Sequence, residues 1–486
     1  MLKGSRPTNT LFIFFGVLLG LLILISDYVS YFLIVGLPAG ILAILVMPDC
    51  YSKAKHLISE LRWWHGLWVL MLLSGLVFRI RDTSTLADSP LDPWALFRIG
   101  LMTLIGVVLF HQLIINRIDW INSLSQGCLA LLTGYAALSL FSISWSVYPS
   151  WTLYKALEYL VDLALIAAIV VVSQNVHILK ALFDWTWALL GILLVTVWFW
   201  VIVWPEEAIL RKIGLLGMQI HGVWPAMETN GVGELAAVLG LVSFTRLLFL
   251  HRRERLFYSL AFLFSFVTLV FAQSRSPLTA FGLGITVVLF VSRRIGWLSL
   301  AFVGAAILFS FTSASESLWE YFQRGQKDKE FESLSGRTLL WSVGWELFKA
   351  EPLLGYGAYA GARFTGITEQ MGSGGSSILN TWMEIILGVG LPGFVLIAIV
   401  FLRIWVILSR ITWKTTDQEL VHRLGVEALG VLTIISVRSM FSPQLIWHPP
   451  ITFFVVLGYA ELVRRLAINP IYEIPVNPQL LSATRR

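Results

Sequence analysis

FLFSFVTLVFAQSRSPLTAFGLGITVVLF, residues 262–290, decides the fold of this chain. Two apolar runs flank a short polar turn, and that turn carries one arginine, Arg275. Similar apolar runs recur along the sequence, for example at residues 11–26 and 186–204. They approach or reach the roughly 20 residues that a helix needs to cross a hydrocarbon core of about 30 Å. The stretch therefore predicts two membrane helices joined by a tight turn.

Composition extends this interpretation to the whole chain. Of its 486 residues, 57% are hydrophobic and only 13% are charged, whereas soluble domains carry about 25% charged residues. The mean hydropathy is +0.78. In lipid, only helices and closed barrels satisfy the backbone, and barrel strands alternate in polarity instead of running apolar. We therefore predict an all-α, polytopic transmembrane helical bundle.

Apolar runs bounded by charges predict about 12 to 14 spans, with ends uncertain by several residues. The candidate spans are 11–26, 29–47, 66–80, 95–116, 126–145, 157–175, 182–204, 232–250, 256–273, 277–292, 296–312, 380–407, 426–441 and 450–464. Lys3 and Arg6 precede the first run, but no small-residue cleavage pattern follows it, so we expect a retained helix. Basic clusters such as HRRER, residues 251–255, then mark cytoplasmic loops, and both termini are predicted to be cytoplasmic.

This pattern divides the chain into five parts. They are N-terminal membrane helices (1–125), central membrane helices with the Arg275 turn (126–312), a large extracytoplasmic loop (313–378), C-terminal membrane helices (379–466) and a cytoplasmic tail (467–486). The net charge of +6 is no sign of nucleic-acid binding, because basic residues here mark loops. The two cysteines, Cys50 and Cys128, suggest neither a disulfide framework nor a metal site.

Four polar segments are predicted on the extracytoplasmic side. They are residues 142–156, 205–231, 273–277 and 313–377. The last is the longest, and within it LLWSVGWELF repeats its apolar residues at helical spacing, which predicts an amphipathic helix. Loops of this length inside a compact protein are usually functional. Any site built from these segments would act on an extracytoplasmic substrate.

Two arginines are the first candidates for such a site. Arg275 lies between two apolar runs, where a buried charge is costly and commonly functional, although it could also reach lipid phosphates or pair with a neighbouring helix. Arg337 is predicted in the first turn of the amphipathic helix, and a cation there is favoured when an anion sits between it and the helix N-terminus. A solvated loop charge is the alternative for Arg337. Arg337 and the helix N-terminus together predict a cradle for a diphosphate, because a guanidinium group can bind phosphate oxygens with two hydrogen bonds.

Other polar residues are weaker candidates. The glycines around Tyr356 favour a sharp turn, and the glycine-serine tract at 372–377 is typical of a flexible segment. His221, Glu228, Asn230 and Glu234 precede or open a span, where carboxylates either act as bases or only solvate the loop. Glu384 lies inside a predicted span and is the more costly acid. Arg438 and His448, around the turn SPQLIWHPP, are interpreted as structural.

Five segments in order resemble the O-antigen ligase and polysaccharide polymerase superfamily of bacterial envelope enzymes. They are SISWSVYPSWTLYKALEYL (142–160), METNGVGELAAVLG (227–240), QSRSPLTAFGLG (273–284), SGRTLLWSVGWELFKAEPLLGYG (335–357) and LNTWMEIILGVGLPG (379–393). Each motif is short, but their order and predicted side of the membrane agree with the superfamily.

The resemblance implies an inverting, metal-independent glycosyltransferase of the bacterial plasma membrane that needs no cofactor. Its donor would be an undecaprenyl diphosphate-linked oligosaccharide and its acceptor a sugar hydroxyl. The family arginines that bind the donor diphosphate match Arg275 and Arg337, and we expect Asn380 and Tyr356 to contribute to substrate binding. Preorganised positive charge would stabilise the leaving diphosphate.

One departure bears on the reaction. Ligases of the superfamily carry a His-Asn pair where this chain has Leu379-Asn380, and the histidine is thought to activate the acceptor hydroxyl. Either the loop aligns differently, or Glu384 or His221 serves as the base, or the chain belongs to a polymerase branch that does without one. We favour the polymerase.

Three functions follow from these observations. The leading hypothesis is polymerisation of lipid-linked repeat units into an exopolysaccharide or O-antigen. The second hypothesis is ligation of finished glycan to a lipid or protein acceptor. A transporter or flippase of lipid-linked glycan is the alternative from another class, but the inverted repeats common in transporters are not evident. A chain-length regulator or a flippase would be the partner proteins, although no residue points to either.

Overall fold

The computed structural model describes residues 37–77, 92–211, 216–249, 254–310, 312–323, 326, 333–367, 378–415, 419–445 and 450–468. The predicted span at 11–26, the glycine-serine tract, His448 and the end of the predicted tail lie outside the described residues.

The first half of the described chain is helical apart from one small hairpin. Its elements are α1 Leu37–Ser59, α2 Trp63–Leu76, α3 Pro93–Ile115, α4 Trp120–Leu124, α5 Gly127–Phe141, α6 Pro149–Val172, α7 Val176–Val203, α8 Pro205–Ala208, and the strands β1 Ile209–Arg211 and β2 Met218–Ile220. The two strands pair antiparallel, with Leu210 opposite Gln219.

The described residues of the second half form only helices and the segments that join them. These helices are α9 Thr229–Phe249, α10 Arg255–Ala272, α11 Arg275–Val291, α12 Ile295–Ser310, α13 Thr312–Gln323, α14 Arg337–Ala350, α15 Gly361–Phe364, α16 Thr381–Lys414, α17 Glu419–Ser439 and α18 Ile451–Ile468. The amphipathic helix predicted in the long polar segment is confirmed as α14.

Seven helices in the described part of the chain are long and apolar enough to cross a membrane. They are α3, α5 with its 3₁₀ extension to Ser144, α7, α9, α10, α16 and α17, and the shorter helices α2 and α11 are also apolar. The predicted all-α polytopic bundle is confirmed. The chain is a multi-pass membrane protein.

The sixth candidate span, 157–175, lies on a helix that begins before the span. This helix, α6, starts at Pro149 and so includes the charged residue Lys155. Lys155 is buried inside the bundle because its ammonium group lies 2.7 Å from a carboxylate oxygen of Glu158. Glu158 also accepts a hydrogen bond from Nε of Arg98 on α3, at 2.7 Å. Paired charges can therefore lie within a helix bundle that unpaired charges would avoid.

Close packing of small residues joins α9, α11 and α17. A Cβ atom built on Gly284 of α11 would lie 2.8 Å from Leu241 of α9, and one built on Gly430 of α17 would lie 2.7 Å from the same side chain. Small residues of this kind let membrane helices approach closely. The three helices hold their ends in fixed relative positions, and those ends carry the polar residues described below.

The span predicted at 380–407 is broken rather than continuous. Within α16, Val389 and Gly390 have non-helical backbone angles, and Gly390 has φ of 65°. The break leaves carbonyl groups of the preceding turn free for other donors. Tyr356 donates its amide N–H to the Leu387 carbonyl at 2.8 Å, and Gly357 donates to the Gly388 carbonyl at 2.9 Å. The Gly-Tyr-Gly segment thus docks against the break.

The same segment is also attached to the start of α6. Thr152 donates its hydroxyl to the Ala358 carbonyl at 2.8 Å, and Ser142 accepts the Ala358 N–H at 2.9 Å. The indole of Trp151 donates to the Tyr359 carbonyl at 3.2 Å. The polar segment between α14 and α16 is therefore fixed to two separate parts of the bundle, which also fixes the end of α14.

Candidate functional site

A cavity of about 200 Å³ lies where the ends of several helices meet. Its lining comes from four places in the sequence that are far apart: the start of α9, the start of α14, the residue before the Asn380 cap of α16, and the end of α17 with the turn after it. The lining residues are Met227, Glu228, Asn230, Gly231, Glu234, Arg337, Leu379, Arg438, Phe441, Ser442 and Gln444.

Arg337 is the first residue of α14 and lines this cavity. The residue before it, Gly336, has φ of 82°, a left-handed conformation that glycine adopts without strain and that starts the helix sharply. The guanidinium group lies 5.9 Å from the centre of the Phe441 ring. Its Nε atom is buried and has no hydrogen-bond partner in the described part of the chain.

The electrostatic environment of Arg337 is positive. Burial lowers the pKa of its guanidinium group below the usual value, and the positive charges of Arg438 and Arg275 act in the same direction. Only Glu228 opposes them among the groups that affect this pKa. Arg337 on α14 therefore lies close enough to Arg438 on α17 and Arg275 on α11 to be repelled by both, which is unfavourable unless an anion is bound nearby.

Arg438 is held in place by two neighbouring helices. It is 2% exposed, and its Nε donates to Oε2 of Glu234 on α9 at 3.1 Å. A second nitrogen, Nη1, donates to the hydroxyl of Ser276 on α11 at 2.5 Å. Glu234 also accepts a hydrogen bond from the side-chain amide of Gln444 at 2.7 Å. These contacts orient the guanidinium group along the cavity wall.

Arg275 is the first residue of α11 and is connected to the start of α14 through one side chain. It donates a hydrogen bond to the side-chain oxygen of Gln326, and the amide nitrogen of Gln326 donates to the hydroxyl of Ser335 at 3.1 Å. Ser335 stands two residues before Arg337. The turn before α11 is tight because Gln273 has φ of 44° and ends α10 there.

Asn230 fastens the start of α9 to this turn. Its side-chain oxygen accepts a hydrogen bond from the hydroxyl of Ser274. Next to it, a Cβ atom built on Gly233 would lie 3.1 Å from Cβ of Ser274, so the two elements pack closely. The segments METNGVGE and QSRSP, which are distant in sequence, form one continuous wall beside the cavity.

The cavity carries a formal excess of positive charge. Arg275, Arg337 and Arg438 contribute three positive charges at or beside it, and Glu228 and Glu234 contribute two negative ones. The start of α14 adds backbone N–H groups, which favour anions at a helix N-terminus. The arrangement is suited to binding an anion with several oxygen atoms.

The structure brings together some of the predicted site residues. Arg337 lines the cavity, and Arg275 lies near enough to change its pKa. Asn380 caps α16, with its side-chain oxygen accepting from the N–H of Trp382 at 2.9 Å, and the residue before it, Leu379, lines the cavity. Tyr356 instead donates its hydroxyl to the Leu347 carbonyl of α14 at 3.0 Å.

The two predicted bases lie elsewhere. Glu384 is 1% exposed and accepts the Ile378 N–H at 3.3 Å. His221 follows β2, and its backbone N–H donates to the Ala208 carbonyl at 3.1 Å. Neither residue belongs to the cavity lining that the described chain provides. Their roles as bases stay predictions.

Sequence reasoning gave Arg438 and Gln444 no part in the site. Arg438 ends an apolar helix, where an arginine is often only an interfacial residue. The signal that could have pointed to it is Glu234, an acid in the first turns of a predicted span, because an acid inside a membrane helix usually has a basic partner. Neither residue type nor spacing identifies that partner.

Residues 260–398 match the model of the O-antigen ligase family. The matched region contains α11, α14 and the first part of α16, and so includes both Arg275 and Arg337. The match over this part of the chain supports the resemblance to the O-antigen ligase and polymerase superfamily expected from the sequence motifs. No curated protein matches the chain.

Proposed function

We propose that this enzyme transfers glycan from an undecaprenyl diphosphate carrier to a sugar hydroxyl on the extracytoplasmic face of the bacterial plasma membrane. In this proposal it polymerises the repeat units of an exopolysaccharide or O-antigen. The observation that carries the proposal is that Arg337 and Arg438 line one cavity and that Arg275 lies near enough to Arg337 to act on its pKa. The cavity lies beside helices that are long enough to span a bilayer, where a polyprenyl chain would be held.

The diphosphate would be bound by the arginines and by the start of α14. A guanidinium group can donate two parallel hydrogen bonds to phosphate oxygens. The buried Nε of Arg337, which has no partner among the described residues, supplies one donor. Burial, and then repulsion by Arg438 and Arg275, lower the pKa of Arg337, and an anion between Arg337 and Arg438 would offset both effects. Binding thus relieves an unfavourable feature of the ligand-free protein.

The same cations would favour the reaction itself. When the acceptor hydroxyl attacks the anomeric carbon, the bond from that carbon to the phosphate oxygen breaks and negative charge grows on the leaving diphosphate. Fixed positive groups stabilise such charge without having to reorganise. A single displacement of this kind inverts the anomeric configuration. In the proposed mechanism the arginines take the part that a metal ion has in other transferases.

Polymerisation is favoured over ligation by Leu379. This residue lines the cavity at the position where ligases of the superfamily carry a histidine. Ligation of finished glycan to a lipid or protein acceptor is the second candidate, because the family match does not depend on the acceptor. The same match supports an enzyme over a flippase. A chain-length regulator and a flippase remain proposed partner proteins.

The test is incubation of the purified full-length protein, in detergent or nanodiscs, with lipid diphosphate-linked repeat units, followed by sizing of the products. A ladder of lengths supports polymerisation, transfer of single chains to an added acceptor supports ligation, and unchanged donor overturns both. Movement of unchanged donor across liposome membranes would support the flippase.

Two variants complete this experiment. Arg337→Ala should lower transfer by roughly 100-fold to 1000-fold, as loss of one preorganised donor to a developing anion does. Arg294→Ala is the matched control, because Arg294 is an exposed arginine just beyond the other end of α11. Equal activity of both variants and the wild type would overturn the assignment of the diphosphate site.

A further inference from the structure

The cavity contains one carboxylate that none of the surrounding arginines binds directly. Glu228 lines it together with Arg337, and Glu228 is an exposed residue. Within the described residues, this carboxylate makes no hydrogen bond or ion pair. Glu234 differs, because Arg438 and Gln444 both donate to its Oε2 atom. Of the two glutamates that line the cavity, Glu228 is thus the one whose carboxylate can still accept a hydrogen bond from a substrate.

The backbone holds Glu228 in a fixed position. Its carbonyl oxygen accepts the N–H of Gly231 at 2.8 Å and that of Val232 at 3.0 Å, which closes the first turn of α9. The preceding residue, Met227, forms a pair of hydrogen bonds with Gly222, of 2.8 and 3.1 Å. These contacts fix the backbone that carries Glu228 at the cavity, and a group that reacts there needs such a defined position.

Other groups at the cavity cannot accept a proton so readily. Leu379 has no acid-base group, and Arg337 and Arg438 are cations. Ser442 and Gln444 are neutral, and Gln444 already donates to Glu234. Among the charged and neutral side chains that line the cavity, Glu228 combines negative charge with access to bound substrate.

We propose that Glu228 is the general base that accepts the proton of the acceptor hydroxyl, an assignment that rests on the proposed glycosyl transfer. In this step a bond forms between the acceptor oxygen and the anomeric carbon, and the bond from that carbon to the phosphate oxygen breaks. The bonding electron pair leaves with the diphosphate beside the arginines. The hydroxyl proton moves to the carboxylate of Glu228 and then to water. The arginines thus stabilise the leaving diphosphate, and Glu228 removes the proton from the attacking hydroxyl.

The experiment compares full-length wild type with Glu228→Gln, Glu228→Asp and Glu346→Gln. Glu346→Gln is the matched control, since it removes an exposed acid on α14 that pairs with Lys349 outside the cavity. Glycan transfer is measured against pH, and binding of undecaprenyl diphosphate alone is measured separately. Loss of a general base lowers rates by roughly 100-fold to 10,000-fold.

We expect kcat to fall by about 100-fold or more in Glu228→Gln. Glu228→Asp should keep part of the activity, and the Glu346→Gln control should keep all of it. The fall in wild-type rate on acidification should be absent in Glu228→Gln. Lipid diphosphate binding should stay the same or tighten in Glu228→Gln, because a negative charge near the arginines is removed.

Two outcomes separate this assignment from the proposed function. If the wild type transfers no glycan, the proposed function fails whatever Glu228 does. If the wild type is active and Glu228→Gln keeps its rate and its pH profile, the assignment of the base alone is overturned. A variant that loses lipid diphosphate binding together with its rate would also overturn it, because Glu228 would then serve binding.

Discussion

Arg438 and Glu234 form an ion pair in the cavity wall, with 3.1 Å between Nε and Oε2, although 204 residues separate them in the sequence. Ser276 and Gln444 complete the arrangement by hydrogen bonding to one or the other member. The pair therefore joins the ends of α9, α11 and α17 around the cavity. Its loss should affect both stability and the site.

The first prediction concerns this pair. Arg438→Met should lower the free energy of unfolding by about 3 kcal/mol, at the low end for a buried pair because Glu234 is partly exposed. Glycan transfer should fall as well, since the wall of the site is released. Denaturation of the purified protein in detergent, compared with Arg294→Met, measures the first effect. The double variant Arg438→Met/Glu234→Leu should recover part of the stability, and strict additivity would contradict a direct pair.

The second prediction concerns the docking of the Gly-Tyr-Gly segment. Gly357 has φ of 101°, and a Cβ atom there would lie 2.6 Å from Cα of Ser146. Gly357→Ala should therefore destabilise the protein by about 1–3 kcal/mol or more and loosen the segment that fixes α14. Thermal unfolding in detergent checks the stability. Gly282→Ala on α11 is the control, because nothing lies within 4 Å of its added Cβ, and equal loss in both variants would refute the docking argument.

The third prediction tests the small-residue packing of α9 and α11. Gly284→Ala places a Cβ atom 2.8 Å from Leu241 and should lower stability by about 1–3 kcal/mol, as overpacking does. Leu241→Ala alone leaves a cavity and should cost about 2–5 kcal/mol. In the double variant the two changes should compensate in part. A coupling energy near zero in the double-mutant cycle would show that the two side chains do not meet.

The sequence predicted the arginines whose surroundings are local. Arg275 lies between two apolar runs, and Arg337 lies at the start of a helical pattern, so a short window of sequence is enough to identify each. The bundle of apolar helices and α14 followed from the same local patterns. Arg438 could not be assigned in this way, because its ion pair joins helices that are distant in the chain.

Local sequence patterns also could not predict the break in the backbone of α16. The sequence LGVGLPG offers glycines and a proline, but only the bundle shows that α16 breaks at Val389 and Gly390 and that Tyr356 and Gly357 fill the break. Lys155 was similarly placed outside the span, since a charge predicts a boundary. Its burial depends on Glu158 and on Arg98 from another helix.

The last prediction separates charge that serves binding from charge that serves stability. The lowered pKa of Arg337 means that its charged form is less stable in the folded protein than in the unfolded chain, so this charge costs stability at all pH values below that pKa. Arg337→Met should keep or slightly raise the thermal stability of the ligand-free protein while abolishing undecaprenyl diphosphate binding.

Arg246 has the opposite role. Its Nε lies 3.0 Å from Glu427 and its Nη1 lies 2.8 Å from Asp184. Arg246→Met should lower stability by about 3–5 kcal/mol, because the buried Glu427 loses its cationic partner and Asp184 keeps only Lys180. Unfolding midpoints and lipid binding measured on both variants decide the matter, and a strongly destabilised Arg337→Met protein would show that Arg337 is structural.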